Sequence, residues 1–427
     1  MRTHNRILAI VAVVSLSGLA LTDAASAQLG TASAATLGTG GNATATVRGF
    51  GALSLNPAGL GMPGAGFSLA LIPITVRQGL GPVGLADLKD VEGTLISSAT
   101  KEQWLADVLA QGGQQGSLGV DVTEVAVTFG RVGFQLSTQV GASMSLAPDI
   151  VEVILYGNAG RTGQPANLSL GGSTAQGFGV TTGALSFGIP VPSETGAMAV
   201  GATLKYSVGH GVAYGEEQGG SISADPIKVD LKFPVVMVDD EDYSANAGSG
   251  FGVDVGFQME RDRLHFGASV QNLFNTFAWD EDKLVFRAGS ASLEKGSNST
   301  DFDKKAYASA PAGFKQAVDD MTFDPVVSVG AAYDVQPDFT VSADVRNRFG
   351  DGMSITPKLH AGVGAEYRGL GALHVRGGGA LVTDGFLLGG GASLILGPVN
   401  LSLALAMQSG DKEDTSIGQF TLSFGGR

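Results

Sequence analysis

The sequence predicts an all-β protein, a transmembrane antiparallel β-barrel of about fourteen strands. Two observations favour this fold: long segments in which apolar residues alternate with polar or small ones, and an export signal with no later apolar run near 18 residues. In lipid, only helices and closed barrels pair all of their backbone groups. Because no spanning helix is predicted, the alternating segments of an exported chain indicate a closed barrel.

The composition excludes several classes of protein. Charged residues make up 15% of the chain, against about 25% in soluble domains, while 65 of its 427 residues are glycine. Cysteine is absent from the sequence, which excludes disulfides, thiol nucleophiles and iron–sulfur clusters. The net charge of −14 argues against a nucleic-acid partner, since nucleic-acid-binding proteins carry basic patches.

The N-terminus has the features of a secretory signal peptide, residues 1–27. Two arginines precede an apolar run over residues 7–21, and residues 25–27 form a small-residue cleavage site. The alternative is a membrane anchor, for which the run is short. We therefore expect cleavage near Ala27 and export to the outer membrane of a Gram-negative-type bacterium. Outer-membrane lipid and the barrel-assembly machinery are the partners expected there.

Alternation with a period of two recurs through the rest of the chain. Apolar side chains alternate with polar or small ones in residues 358–368, 251–260 and 264–271. Such a pattern predicts strands with two different faces. Segments of this length exceed most sandwich strands and match a tilted crossing of the bilayer. The predicted strands are 66–77, 118–130, 132–145, 177–189, 197–212, 250–260, 263–274, 323–334, 339–348, 356–367, 372–382, 386–396, 399–408 and 417–424.

The connections between these strands support the count. Short links follow the even-numbered strands and longer links follow most odd-numbered ones, as in barrels with short periplasmic turns and long outer loops. A tight turn at 383–385 is the exception, and 409–416 counts among the long outer loops. Residues 221–236 and 277–287 keep enough alternation for an extra hairpin, so counts of about 12 or 16 stay open.

The long outer loops contain apolar helical patterns. Residues 100–103 form a predicted capping box ahead of one helix, Asp149 precedes a second, and residues 312–321 indicate a third. Their apolar faces predict either a landing site for a hydrophobic ligand or loops that pack together and close the mouth. The residues concerned are Trp104, Leu105, Val108, Leu109, Ile150, Ile154 and Phe314.

Residues 28–65 precede the first predicted strand and lack clear alternation. They include Asn56-Pro57-Ala58, in which proline favours a turn. On this motif the chain resembles the FadL-type (long-chain fatty acid transporter) superfamily of outer-membrane β-barrels. The paired segments 252–256 (GVDVG) and 264–272 (LHFGASVQN) are similar to its PorV/TraF-like branch.

The resemblance implies both a fold and a function. It places residues 28–65 as a plug, with Asn56, Pro57 and Ala58 as its motif, inside a fourteen-stranded barrel formed by residues 66–427. The implied function is passive uptake of fatty-acid-like hydrophobic small molecules, which leave sideways through a gap in the wall. In the PorV-like alternative, the barrel serves protein secretion or envelope structure instead.

Ionisable residues occupy the polar side of several predicted strands. If the apolar side faces lipid, these residues face the lumen. They form either a polar conduit or head-group site, or ion pairs that tie the plug to the wall, because buried charges need partners. The set comprises Lys205, Asp254, His265, Asp344, Arg346, His360, Glu366, His374 and Arg376.

Motifs for catalysis and metal binding are missing from the sequence. It has no HExxH, GxSxG or Walker A pattern, and its two GxGxxG matches carry an internal proline and open no predicted helix. The acidic run 239–242 lacks the spacing of an EF-hand loop. We therefore expect no enzymatic activity, no cofactor and no metal ion.

Overall fold

The computed structural model describes residues 29–64, 66–224, 227–239, 246–294, 297–353, 356–383 and 385–425. The predicted signal peptide, residues 1–27, lies outside the described residues. The described chain forms a closed antiparallel barrel, a segment inside it, and long loops at one end. We call the end with the long loops the outer end and the opposite one the inner end.

Fourteen strands close the barrel, as the alternation predicts. Each strand pairs antiparallel with the next one, and the last pairs with the first, so the ring leaves no open edge among them. The strands are β1 (Phe67–Gly81), β2 (Gln114–Phe129), β3 (Val132–Leu146), β4 (Thr174–Val191), β5 (Ala197–Glu216), β6 (Gly248–Arg261), β7 (Leu264–Asn275), β8 (Val326–Gln336), β9 (Phe339–Arg348), β10 (Leu359–Leu370), β11 (Leu373–Val382), β12 (Gly385–Leu396), β13 (Val399–Gly410) and β14 (Asp414–Gly425).

The strands differ from the predicted ones mainly at the outer end. β1, β2, β4 and β5 extend further outward, because the ladder continues where polar rim residues interrupt the apolar alternation. The sequence predicts a strand from residue 323, but β8 begins at Val326. The predicted long loop 409–416 is wrong, since a short turn at 411–413 joins β13 to β14.

Side chains alternate between the two faces of the wall. Leu405 and Met407 of β13 point outward and are exposed, whereas Ala404 and Ala406 beside them are buried. The same alternation brings outward-facing leucine, valine and phenylalanine to most strands, as a lipid-facing band requires. The inward face holds buried polar groups instead, among them Gln258.

Residues 29–64, which we call the N-terminal segment, lie inside the barrel. The segment contains α1 (Ala34–Gly38), α2 (Ala52–Leu55) and two short 3-10 helices, Gly49–Gly51 and Pro57–Leu60. Leu53 and Leu60 are fully buried. Glycine and proline interrupt these short helices, so the segment folds compactly without joining the sheet.

The outer loops carry the other helices. These are α3 (Leu85–Asp90), α4 (Ser98–Gln111), α5 (Pro148–Tyr156) and α6 (Ala312–Asp319). The capping residue of α4 is Ser97, whose hydroxyl accepts the N–H of Thr100 at 3.1 Å, so the predicted start at residue 100 is wrong. No helix in the described part of the chain is long and apolar enough to cross a membrane.

Short strands extend the outer end without adding to the wall. Five of them form a separate sheet: Leu168–Ser169, Ser221–Ala224, Ile227–Lys232, Ser290–Glu294 and Ser297–Asp301. Four others continue the barrel sheet outward: Val235–Val238, Ala278–Trp279, Leu284–Arg287 and Lys304–Ala306. The alternation at 221–236 and 277–287 therefore forms strands above the barrel, and the wall keeps fourteen.

We expect Leu405→Arg to destabilise the barrel in lipid by about 2–4 kcal/mol, because arginine would face hydrocarbon near the middle of β13. Urea titration in lipid vesicles, read by the gel mobility of folded and unfolded forms, measures this loss. The matched control Leu405→Met should cost less than about 1.5 kcal/mol. Equal stability of the two variants would show that this face does not lie in hydrocarbon.

Candidate functional site in the lumen

Close packing between the N-terminal segment and the wall depends on inward-facing glycines. A methyl group at Gly378 or Gly364 would overlap the carbonyl group of Thr39, and one at Gly267 would overlap that of Thr44. Glycine at these positions lets the backbone of the segment reach the sheet. Further positions where a Cβ atom would collide with the segment are Gly133, Gly188, Gly201, Gly256 and Gly389.

The Asn56-Pro57-Ala58 motif is buried against β6. The Asn56 side chain accepts the N–H of Ala58 at 3.2 Å. It also donates to the carbonyl oxygens of Thr44 (3.1 Å) and Phe257 (3.0 Å). The side chain thereby fixes the turn that begins at Pro57 and joins that turn to both the segment and the wall.

A second set of anchors holds residues 41–44 of the N-terminal segment. The Asp344 carboxylate accepts two backbone N–H groups there, at 2.8 and 2.9 Å. Arg346 donates to a carbonyl oxygen at 3.0 Å, and His360 Nε2 lies 3.0 Å from Asn42 Oδ1. Three of the predicted lumen residues therefore contact one short stretch of the segment.

A third set surrounds a polar cavity of about 850 Å³ between the segment and the wall. Its ionisable lining residues are Arg48, His265, Asp334, Asp338, Glu366, Arg368, His374 and Arg376. Glu366 pairs with Arg376 at 2.6 Å and with Arg368 at 2.7 Å, and His265 Nε2 lies 2.9 Å from Asp334. Opposite charges balance one another here. Among the described residues, no cluster of three or more His, Asp or Glu side chains is placed to hold a metal ion.

Lys205 and Asp254 form a buried ion pair between neighbouring strands β5 and β6. The distance from Lys205 Nζ to Asp254 Oδ1 is 2.6 Å, and the two side chains are 5% and 2% exposed. A buried pair of this kind persists only where further hydrogen bonds satisfy both groups. Asn272 supplies such bonds from β7, which brings a third strand into the contact.

The connection between β7 and β8 covers the outer end of the lumen, and we call its residues 276–294 and 297–325 the outer closure. Its buried apolar side chains include Phe277, Trp279, Leu284, Phe286, Tyr307, Phe314, Val318, Met321 and Phe323. They pack against Phe178, Val180 and Val212, which lie on β4 and β5. Packed apolar side chains therefore cover part of the outer end of the lumen, and hydrogen bonds join the segment to the wall below them.

The predicted loop residues do not form one site. Buried among them are Trp104, Leu105, Val108 and Phe314, while Leu109 and Ile154 are exposed and Ile150 is half-buried. Trp104 and Val108 pack with Val151 between α4 and α5, whereas Phe314 belongs to the outer closure. Packing between loop elements accounts for the buried members, and Leu109 and Ile154 are left facing solvent.

The ladders join each pair of neighbouring strands in the described barrel. β3 pairs with β2 from Val132 to Leu146 and with β4 from Val132 to Ser145, without interruption at Gly141. The wall at β3 therefore has no sideways gap in this conformation.

Several residues that hold the segment were missed by sequence reasoning. Arg48 donates to Gln258 Oε1 at 2.6 Å and pairs with Glu260 at 3.3 Å, while Gln258 donates to the carbonyl oxygen of Thr44 at 3.0 Å. Gln258 and Glu260 share the polar face of β6 with Asp254, so the alternation already marked them. Arg48 lies in a segment without periodicity, and no sequence pattern assigns its partner.

A closed fourteen-stranded barrel with a segment folded inside its lumen places the chain, by its fold, among transmembrane β-barrels. The toluene transporter TbuX of Ralstonia pickettii is 14% identical, with 92% of this chain and 97% of that chain covered and a TM-score of 0.54. The TodX deltaS2S3 mutant, a monoaromatic hydrocarbon channel, is 11% identical, with 92% and 98% covered and a TM-score of 0.50. A FadL homologue from Pseudomonas aeruginosa is 14% identical, with 93% and 99% covered and a TM-score of 0.46.

Residues 74–405 match a protein family described as a family of unknown function, DUF5723. The chain belongs to this family. No curated protein matches the sequence. At 14% identity or less, the solved structures show the shared fold, and the family leaves the activity open.

We expect Gly378→Val to loosen the N-terminal segment, because its side chain would collide with the backbone of Thr39. Gly377→Val is the matched control, since a Cβ atom at the adjacent position meets nothing within 4 Å. Amide hydrogen exchange of residues 36–44 should quicken at least about tenfold in the first variant, equivalent to about 1.4 kcal/mol, and stay unchanged in the second. Equal exchange in both variants would contradict tight packing of the segment on β11.

Proposed function

We propose that the protein is an outer-membrane channel for passive uptake of hydrophobic small molecules, with the N-terminal segment as its plug. The observation that carries the proposal is an apolar cluster at the outer end of the lumen above a segment that packs against the inside of the wall. The shared fold with TbuX and TodX, named as transporters or channels for toluene and monoaromatic hydrocarbons, supports the same class of solute.

The apolar cluster of the outer closure supports capture of a hydrophobic solute from outside. An apolar molecule that replaces loop side chains around Trp279 and Phe314 regains about 0.8 kcal/mol for each CH₂ group it buries. Ions and sugars gain nothing from such a site. The outer closure therefore favours uptake of a hydrophobic solute and argues against a general pore for polar solutes.

The polar contacts below the cluster support the plug role of the segment. Backbone groups of residues 41–44 and the side chain of Asn56 bond directly to the wall. Each bond contributes a modest net free energy, about 0.5–1.5 kcal/mol for a neutral bond and about 1.5–3 kcal/mol for one to the Asp344 carboxylate. The set is therefore strong together, although its bonds can break one at a time. A plug held in this way can shift without unfolding the barrel.

The outward-facing apolar band supports insertion in the outer membrane, with lipid around the barrel. Signal-peptide cleavage near Ala27 and insertion by the barrel-assembly machinery belong to the same proposal. The segments 252–256 and 264–272 support a place in the PorV/TraF-like branch. The uptake experiment below compares oleate with toluene and so distinguishes acyl from aromatic solutes.

Uptake should stop when the segment is locked to the wall. A Cβ atom at Gly38 would lie 3.3 Å from Cβ of Arg376, close to disulfide range, and the chain has no other cysteine. We expect cells without their own transporters to take up labelled oleate or toluene when they express the reduced Gly38→Cys/Arg376→Cys protein. Oxidation should reduce that uptake to the empty-vector level, and dithiothreitol should restore it.

The two single-cysteine variants serve as matched controls and should transport under both conditions. Background uptake of both solutes by a folded wild-type barrel, identified by heat-modifiable gel migration, would overturn the transport proposal. That outcome would favour the secretion or envelope role. Uptake that persists in the oxidised double variant would instead remove the plug role alone.

Deletion of residues 29–64 should turn the barrel into an open pore, because the fourteen-stranded ladder closes without them. We expect stepwise ion conductance in planar lipid bilayers for the deletion variant and little steady conductance for the wild type. Insertion of a folded deletion variant that does not conduct would show that the outer closure seals the lumen by itself.

A further inference from the structure

A bulge in β7 turns two successive side chains into the lumen. The pairing of β6 with β7 shifts register between Val253 and Val255, and Asn272 adopts a left-handed backbone conformation with φ of 52°. Gln271 and Asn272 are consequently both buried, at 2% and 4% exposure, whereas Leu273 points outward. In a regular strand one of the two would face lipid.

Gln271 bonds toward the N-terminal segment. Its side-chain amide donates to the carbonyl oxygen of Ser54, in helix α2 directly before the Asn56 motif. Asn56 itself donates to Phe257 of the neighbouring strand β6. The β6–β7 pair is therefore the part of the wall that holds α2 and the turn after it.

Asn272 bonds toward the outer closure. Its backbone N–H donates to Asp254 Oδ1 at 2.7 Å, and its side-chain oxygen accepts from Lys205. The side-chain amide donates to the carbonyl oxygen of Asp324 at 2.9 Å, at the end of the outer closure. The Lys205–Asp254 ion pair thus fixes an asparagine that reaches into the loop.

The contacts continue from Asp324 into the apolar cluster. Asn275 donates to Thr322 Oγ1 at 3.0 Å and to the carbonyl oxygen of Phe323 at 3.1 Å. Trp279 Nε1 donates to the carbonyl oxygen of Met321 at 2.8 Å. Residues 321–324 are therefore bonded on one side to the cluster and on the other to the bulge.

We infer that Gln271 and Asn272 are positioning residues that couple the two closures of the lumen, so that loosening the outer closure loosens the segment. The inference goes beyond solute uptake, because it concerns the empty protein and holds whichever solute the barrel carries. The side chains of these two adjacent residues bond to different closures. A backbone shift at the bulge therefore moves the contacts with the segment and the contacts with the outer closure together. The motif segments 252–256 and 264–272 supply both Asp254 and these two residues.

The test is a mutant cycle read by amide hydrogen exchange of the purified, solute-free barrel. Trp279→Phe removes the hydrogen bond to Met321 and keeps an aromatic ring in the cluster. We expect it to quicken exchange in residues 276–286 and also in residues 52–60 by at least about threefold. In a Gln271→Ala background, the same substitution should quicken exchange in 276–286 only.

Ser342→Ala is the matched control background, because it removes a wall-to-segment hydrogen bond, to Asn42, that lies away from the bulge. In that background the effect of Trp279→Phe on residues 52–60 should persist. Loss of the effect in both backgrounds, or its persistence in both, would overturn the coupling. An unchanged segment in Trp279→Phe alone would overturn it as well.

A second variant keeps the test decisive if Gln271→Ala gives no folded, heat-modifiable barrel. Gln271→Glu retains the length of the side chain and loses the amide donor to Ser54. It should also confine the effect of Trp279→Phe to the outer closure. Transmission equal to that in the wild type would contradict the role of the Gln271 amide.

Discussion

Backbone N–H and C=O groups in hydrocarbon have no water with which to form hydrogen bonds. The rest of this structure follows from that constraint. The chain meets it by pairing fourteen strands in a ring, with β14 beside β1. The ring leaves an interior space that is filled either by the chain itself or by water. The inward faces carry buried charges and amides, which need partners in turn. The N-terminal segment provides many of these partners from its backbone.

The wall and the segment are consequently adapted to each other. Glycines at inward positions remove the side chains that would hold the segment away, and polar neighbours on the same strands then bond to it. The high glycine content is therefore partly a feature of the interior, beyond the turns. The outer loops solve a separate problem, since they bring apolar side chains over the mouth and remove them from water.

The sequence was sufficient to predict the strands, because apolar and polar residues alternate with a period of two wherever one face meets lipid and the other meets polar groups. It was also sufficient to mark residues such as Asp344 and His360 as polar positions. Their partners could not be predicted, since Gly41 to Thr44 lie in a stretch without periodicity. The joint inward orientation of Gln271 and Asn272 was also hidden, because a bulge changes the alternation only in three dimensions. At the outer rim, polar residues hid continued strand pairing and the short turn at 411–413.

The path of the segment has a consequence for the order of assembly. Gln135 of β3 donates to the carbonyl oxygen of Gly30, and Thr421 of β14 donates to that of Ala32. These two strands lie on opposite sides of the β1–β14 junction, where the first and last parts of the chain meet. Residues 30–32 of the segment thus connect the two sides of this junction from inside the barrel. The contact with Thr421 can form only after the final strand has been made, so these contacts are complete only once the ring has closed.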